Sequence, residues 1–392
     1  MKKLFLMIFI SFLSISSITA QDSLSTKCNK SSFGIPLKNY GIGFGNSSEF
    51  TGIRFNLSDC DIKNINGINV SLWKPGKNYE GIINGVSLGI AANAAVLRGI
   101  NFGVAGVIAH EKIAGINIAG LGVISEGDIS GISFSGLGLI AEGNLTGFNF
   151  AGLGCISESS IKGINIGGLA LVSGGEISGI NFGGLALVSE NKMKGINIGG
   201  LACVGNDLYG LNFGSLALVS QSNLIGLNFA GLAMVSENNM KGFNFSLLAN
   251  VSNGEMTGIN ISGLALVGLE GINGLNIGGA AIFSEDANIT GINITAGMIK
   301  SFETISFFNF AGYKIEAAKA VGITTSVIWN DIDFMKGVAI GVYNKINSEQ
   351  NGFSIGLFNV AKVLNGIQIG LINIAKNNPA PFKVLPLINA HF

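Results

Sequence analysis

The sequence predicts an all-β protein, folded as a parallel β-solenoid of about twenty coils of 14–18 residues each. Three observations carry this prediction. A Gly-Ile-Asn-Ile motif recurs through the chain at a spacing near 16 residues, side chains alternate with period two inside each copy, and the third position of almost every copy is Asn. Self-similarity at a short fixed period is typical of architectures in which each repeat contacts only its neighbours.

Composition excludes several other classes of protein. The chain has 392 residues, of which 59 are Gly, 5 are Pro and 4 are Cys, with 48% hydrophobic and 12% charged residues. Disorder requires low hydrophobicity and high charge, collagen requires abundant Pro, and a disulfide scaffold requires far more Cys. With 23 basic against 23 acidic residues, no electrostatic footprint of a nucleic-acid binder is present, so we expect no nucleic-acid partner.

The first twenty residues have the three regions of a secretory signal. Lys2 and Lys3 precede an apolar run from Leu4 to Ile18, and a small-residue end follows at Ala20. This pattern predicts a signal peptide over residues 1–20, with export to the cell surface or the outer membrane.

The repeat fills nearly all of the remaining chain. Its regular copies start at Gly99, Gly115, Gly131, Gly147, Gly163, Gly179, Gly195, Gly210, Gly226, Gly242, Gly258, Gly274 and Gly291. Looser copies extend back to Gly52 and forward to Gly366. We therefore expect one repeat domain over 52–381, most regular over 99–306, with a cap or lead-in at 21–51 and an end strand at 382–392.

The copy that begins at Gly179 shows why the repeat predicts strands. Ile180 and Phe182 alternate with Asn181, and a polar turn ends the copy. Alternation with period two indicates β-strand, and several glycines per copy would each cost about 1 kcal/mol inside a helix.

In a solenoid, equivalent residues of successive coils stack about 4.8 Å apart. The sequence suggests that Ile180, Phe182, Leu185 and Leu187 point inward. Asn residues stacked in register can hydrogen-bond as a ladder, as they do in cross-β assemblies, so the Asn column favours this fold.

An antiparallel outer-membrane β-barrel is the alternative fold. Positions two, four, six, eight and ten of the copy at Gly179 form a wholly apolar face that could meet lipid. In such a barrel, however, the Leu residues of positions seven and nine would line a lumen that is usually polar. The solenoid is the preferred prediction.

Two C-terminal segments carry a resemblance to a known family. They read Gly352-Phe-Ser-Ile-Gly-Leu-Phe-Asn and Gly366-Ile-Gln-Ile-Gly-Leu-Ile-Asn, and the ending is Val384-Leu-Pro-Leu-Ile-Asn. The chain resembles uncharacterised bacterial surface-repeat proteins with copies of the form Gly-Leu-Gln-Ile-Gly-Leu-x-Asn. The resemblance implies a cell-surface or outer-membrane setting and supplies no catalytic residues.

Candidate chemical motifs all have simpler explanations. Ser87 and Ser354 lie in GxSxG sequences, but each occupies the Asn column of its own copy, and no helix follows as a nucleophile elbow requires. His110 and Glu111 begin an HExxH pattern that fails at Ala114. The sequence therefore predicts no catalytic, cofactor-binding or metal-binding residue, no cofactor, and no enzyme activity.

The four cysteines form two pairs. Cys28 and Cys60 lie near the N-terminus of an exported chain, and the sequence leaves open whether they form a disulfide. Cys155 and Cys203 both occupy position nine of their copies, three copies apart. At about 4.8 Å per coil, their Cα atoms would lie about 14 Å apart, whereas a disulfide requires a Cα separation below about 7 Å. We therefore expect these two cysteines to be buried, free and slow to react.

Two functions follow as hypotheses. The first is a secreted or surface-exposed structural or adhesive repeat protein without catalytic activity. The second is an outer-membrane barrel that passes or docks a solute. The candidate partners are cell-surface components and a further copy of the chain, with membrane association as a further option.

Overall fold

The computed structural model describes Cys28 and residues 31–73, 75–76 and 78–392. The predicted signal peptide at 1–20 lies outside these ranges. The described part contains strands and turns only. It holds no helix with the length and apolar character needed to cross a bilayer.

Five strands form the N-terminal part of the fold. They are β1 (Ser32–Leu37), β2 (Tyr40–Gly45), β3 (Glu49–Asn56), β4 (Asn64–Ser71) and β5 (Ile82–Ala119).

Short and long strands then alternate, one of each per coil, through the regular middle of the chain. They are β6 (Gly122–Ser125), β7 (Asp128–Ser135), β8 (Gly138–Ala141), β9 (Leu145–Ala151), β10 (Gly154–Ser157), β11 (Ile161–Gly167), β12 (Ala170–Ser173), β13 (Ile177–Gly183), β14 (Ala186–Ser189), β15 (Lys192–Gly199), β16 (Ala202–Gly205), β17 (Asp207–Gly214), β18 (Ala217–Ser220), β19 (Leu224–Ala230), β20 (Ala233–Ser236), β21 (Met240–Ser246), β22 (Ala249–Ser252), β23 (Met256–Ser262), β24 (Ala265–Gly268), β25 (Ile272–Gly278), β26 (Ala281–Ser284) and β27 (Ile289–Thr295).

Six strands complete the chain. They are β28 (Met298–Ala311), β29 (Lys314–Ser326), β30 (Trp329–Ile340), β31 (Tyr343–Ile355), β32 (Phe358–Ala375) and β33 (Val384–His391).

Successive coils pair in parallel and in register. Gly179 lies opposite Gly163 on one side and Gly195 on the other, and each short strand pairs with the short strands of the adjacent coils. This parallel register confirms the solenoid, and it excludes the antiparallel barrel, in which neighbouring strands run in opposite directions.

Both ends of the stack carry an antiparallel strand. β1 pairs antiparallel with β2, and β33 pairs antiparallel with β32. β2 already pairs in parallel with β3, so the parallel stack includes Tyr40–Gly45, N-terminal to the expected start of the repeat at residue 52.

Each regular coil has three sides. In the coil at Gly179 the chain changes direction at Gly179, where φ is 108°, at Gly184–Leu185 and at Glu190–Asn191, where turns separate the strands. The interior receives positions three, five, nine, eleven and fifteen of each copy, which here are buried Asn, small residues, Leu, Ser and an aliphatic residue.

The direction of the apolar side chains differs from expectation. Leu187 is buried, as predicted, but Ile180, Phe182 and Leu185 point outward and are exposed. Asn181 takes the inward place between Ile180 and Phe182. The prediction that Ile180, Phe182 and Leu185 face the core is therefore wrong.

The interior Asn side chains form a hydrogen-bonded ladder along the stack. From Asn149 to Asn293 each Nδ2 donates to the Oδ1 of the Asn one coil further on, at 2.8–3.0 Å, and the ladder ends at Asn309 Oδ1. A second ladder of the same kind joins Asn330, Asn344, Asn359 and Asn373 at 2.7–2.8 Å in the last coils. The ladder satisfies amides that burial would otherwise leave without water.

Ser133 interrupts the first ladder. Asn117 Nδ2 donates to Ser133 Oγ at 3.2 Å, but Asn149 Oδ1 has no hydrogen-bond partner among the described residues. We expect Ser133→Asn to raise the free energy of unfolding by about 1 kcal/mol, because its amide can accept from Asn117 and donate to Asn149. Urea denaturation measures the gain. Ser133→Ala is the control and should lower stability, and a destabilised Ser133→Asn variant would contradict the prediction.

Cys155 and Cys203 are free and buried, as predicted. Burial raises the pKa of each thiol to about 12, so little nucleophilic thiolate is present at neutral pH. Cys203 lies opposite Leu187, and Cys155 lies opposite Leu171, each on the adjacent coil.

We therefore expect Leu187→Cys to form a disulfide with Cys203 when the protein is refolded under oxidising conditions. The Cα separation of neighbouring coils, about 4.8 Å, lies within the disulfide range. Leu171→Cys is the matched variant and should pair with Cys155 instead. Peptide mapping under non-reducing conditions identifies the pairs. A disulfide to Cys155 in the Leu187→Cys variant or to Cys203 in the Leu171→Cys variant would contradict the parallel register. The absence of a crosslink in both variants would contradict it too.

Candidate interaction surface

Face A is the side of the solenoid formed by positions two and four of the regular coils. In the coil at Gly179 these residues are Ile180, which is 47% exposed, and Phe182, which is 42% exposed. The same two positions are Ile, Leu or Phe in every copy from Gly99 to Gly291. Parallel pairing stacks these side chains into two outward apolar columns.

Face B is the side formed by positions eight and ten. In the same coil these are Ala186 and Val188, both half-buried between the inward-facing Leu187 and Ser189. The column at position ten is apolar over about twelve coils, from Ile108 to Phe283, a length of about 55 Å.

A column of exposed Leu separates the two faces. This Leu corner is position seven, and it contains Leu121, Leu137, Leu153, Leu169, Leu185, Leu201, Leu216, Leu232, Leu248 and Leu264. Faces A and B therefore meet along one apolar edge.

A cleft lies in face B over its N-terminal coils. Its volume is about 830 Å³ and its lining is almost wholly apolar. Position eight is glycine here, at Gly106, Gly122, Gly138 and Gly154, and these residues line the cleft between the Leu corner and the Ile residues of position ten. Position eight becomes Ala from Ala170 onward, which ends the glycine-lined part.

Face C is the polar third side, formed by positions fourteen and sixteen. Lys192 and Lys194 represent it in the coil at Gly179. Lys194 Nζ lies 3.3 Å from Glu176 Oε2, and Lys192 Nζ lies 4.0 Å from Asp207 Oδ2. Such exposed pairs contribute little to stability, so face C is an ordinary solvated surface.

The outer edges of faces A and B carry opposite charges. Beside face A, position sixteen of the regular copies has three exposed cations and no carboxylate. The cations are Lys162, Lys194 and Lys241, and the exposed Arg98 directly precedes the first regular copy. Beside face B, position twelve has exposed carboxylates and no Lys or Arg; they are Glu126, Glu142, Glu158, Glu190, Glu237 and Glu285. The cations at position sixteen were not predicted from the sequence.

Face B ends where its tenth position becomes charged. After Phe283 the column continues as Lys300, Glu316, Asp331 and Lys345. Lys300 Nζ lies 2.9 Å from Glu316 Oε1, and Lys345 Nζ lies 3.5 Å from Asp331 Oδ1. Hydrogen bonds from Lys314 and Lys300 lower the pKa of Glu316. The apolar part of face B is thus a bounded surface.

The motif residues of the sequence lie apart from one another. Ser87 and Ser354 are buried, and Ser354 Oγ donates to Gln350 Oε1 at 2.8 Å. The His110 Nδ1 atom lies 3.0 Å from Glu126 Oε1, and its ring packs on Tyr79 at 4.5 Å. The structure does not bring these residues together into a reactive site.

Cys28 and Cys60 form a disulfide, with a Cα separation of 5.8 Å. This resolves the pairing that the sequence left open. Together with Asp61 they are the one close group of metal-ligating side chains in the described part of the chain. Since both thiols are consumed in the disulfide, the group lacks the thiolates a metal would need.

A buried ion pair lies inside the N-terminal coils. Arg54 takes the inward place that Asn69 takes in the next coil, and its guanidinium contacts Asp59 and donates to Asn69 Oδ1 at 2.8 Å. Burial lowers the pKa of Arg54, and the charge of Asp59 opposes that shift. Both side chains are fully enclosed, so this pair is closed to ligands.

The chain matches no protein-family model, no curated protein and no solved structure.

Proposed function

We propose that this chain is an exported structural or adhesive rod without catalytic activity, which acts by burying faces A and B against a partner. The observation that carries the proposal is the continuous apolar surface over about twelve coils. The secretory pattern at residues 1–20 and the resemblance to surface-repeat proteins support a location at the cell surface.

The size of the surface supports this role. An aromatic side chain presents about 200 Å², so at 42% exposure Phe182 leaves on the order of 80 Å² in contact with water. Six side chains of the position-four column are exposed by 38–42%. Together with the exposed side chains of position two and of the Leu corner, they exceed the few hundred Å² that is usual for the largest apolar patch of a soluble monomer. An unpartnered surface of this size would drive aggregation, so faces A and B must have a partner.

The proposal is tested by adding charge to face A in three consecutive coils. The full chain is expressed in a bacterium, and sedimentation after a high-salt wash measures the share of protein that stays assembled, either with the cell envelope or with further copies of the chain. The face A variant carries the substitutions Ile259→Lys, Leu275→Lys and Ile292→Lys together. We expect the wild type to sediment in an assembly until detergent is added, and the variant to be released as a monomer by the wash, because each Lys disrupts apolar contact.

The control adds the same three charges to face C of the same coils. It carries the substitutions Thr257→Lys, Asn273→Lys and Thr290→Lys together. The control should behave as the wild type does. Equal assembly of the face A variant and the wild type would overturn the proposal, and so would release of the wild type as a monomer by salt alone.

A further inference from the structure

We infer that the partner of face A is face B of a second copy of this chain, packed parallel to the first. This inference rests on the proposed function, since it names what buries the apolar faces. It follows from the charges at the edges of the faces, from their shared period and from the cleft in face B.

The edge charges select one packing. Face A has a cationic outer edge, at Lys162 and Lys194, and face B has an acidic outer edge, at Glu158 and Glu190, while both share the Leu corner. If face A packs on face A, the cations of one copy lie beside the cations or beside the Leu corner of the other. If face B packs on face B, the carboxylates of one copy likewise lie beside the carboxylates or beside the Leu corner of the other. Packing A on B with the Leu corners together places each cation column beside a carboxylate column.

Such a packing is generated by rotating one copy about a line near its Leu corner. The rotation carries face A of one copy onto face B of the next and keeps the solenoids parallel. Contacts of this kind use two different surfaces, and they close into a ring when the rotation divides a full turn. The angle between faces A and B sets the number of copies, and face C is left on the outside in water.

The shared repeat fits one copy to another. Each coil presents its side chains at the spacing of the sheet, about 4.8 Å, so a second copy matches this spacing at every coil. The cleft adds a local fit: its glycine floor at Gly138 and Gly154 belongs to the two coils whose fourth positions are Phe134 and Phe150. Parallel packing brings these rings of one copy to the cleft of the next.

The packing predicts which positions approach one another. Glu158 and Lys162 lie in the same coil, and a rotation without translation keeps them at nearly the same height in adjacent copies. Two single variants of the full chain, Glu158→Cys and Lys162→Cys, are therefore purified and oxidised separately and as a mixture. We expect the mixture to give a disulfide-linked dimer at several times the yield of either variant alone.

Sedimentation equilibrium of the purified wild type accompanies the crosslinking, and we expect an oligomer. A monomer that binds vesicles of phosphatidylethanolamine and phosphatidylglycerol would overturn this inference and leave the proposed function standing. A monomer that binds neither vesicles nor the cell envelope would overturn both. An oligomer in which Glu158→Cys or Lys162→Cys crosslinks best with itself would overturn the A-on-B packing.

Discussion

Gly131→Ala should lower the free energy of unfolding by about 2–4 kcal/mol. Gly131 opens its copy at φ 107°, a conformation that costs L residues about 1–2 kcal/mol. An added Cβ would also lie 2.2 Å from the carbonyl oxygen of Gly115 in the adjacent coil. That oxygen belongs to the stacked backbone, so relief requires two coils to move apart.

The same column shows how such a change is accommodated. Phe307 occupies the position of Gly131 in a later coil, and its φ is 78° instead of the values near 110° of the glycines. The Ala variant can therefore relieve the strain by a shift of φ. We expect it to fold, with a loss of a few kcal/mol in the free energy of unfolding.

The matched control for Gly131→Ala is Gly138→Ala, seven residues further along the same coil. An added Cβ at Gly138 meets its first neighbour only at 3.9 Å, and the equivalent residue is Ala at Ala170 and Ala186. We expect a change within about 0.5 kcal/mol, as for most surface substitutions. Urea denaturation, with hydrogen exchange of β7 and β9, measures both variants. Equal stability of the two would show that the glycine column is not required.

Asn197→Leu should lower the free energy of unfolding by about 2–5 kcal/mol. Asn197 accepts from Asn181 Nδ2 at 3.0 Å and donates to Asn212 Oδ1 at 2.9 Å, and all three side chains are fully buried. Leu has a similar size but cannot hydrogen-bond. It leaves one donor and one acceptor unpaired in the interior, each at a cost of about 1–3 kcal/mol.

The matched control is Asn197→Ser. The column already contains Ser133, which accepts from Asn117, so Ser should keep one of the two ladder bonds and lose about half as much stability. Urea denaturation ranks the wild type, the Ser variant and the Leu variant. A Leu variant as stable as the wild type would show that the ladder adds nothing beyond filling space.

The periodic sequence determined most of the architecture. Motif spacing, period-two alternation and the Asn column were sufficient to predict an all-β solenoid, because stacked identical residues must recur once per coil. The positions of Cys155 and Cys203 in the repeat predicted two buried, unpaired thiols for the same reason, and the structure agrees.

The sequence did not determine whether Cys28 and Cys60 pair. Both lie in the less regular N-terminal part, where no repeat fixes the distance between them. Only the folded backbone brings their Cα atoms within disulfide range.

The direction of each strand was likewise decided by tertiary structure. Alternation shows that Asn181 and Phe182 point to opposite sides of the strand, but it does not show which side is the core. Hydrophobicity alone would place Phe182 in the core, whereas the structure places Asn181 there. The interior beside Asn181 is narrow: a Cβ at Gly183 would lie 2.2 Å from the carbonyl oxygen of Ala186, and the inward residue at this position is Gly, Ala, Ser or Thr in every regular copy. The core is filled by columns such as Leu187, and the amides satisfy one another along the stack. Ile180 and Phe182 are therefore left on the outside, where they form face A.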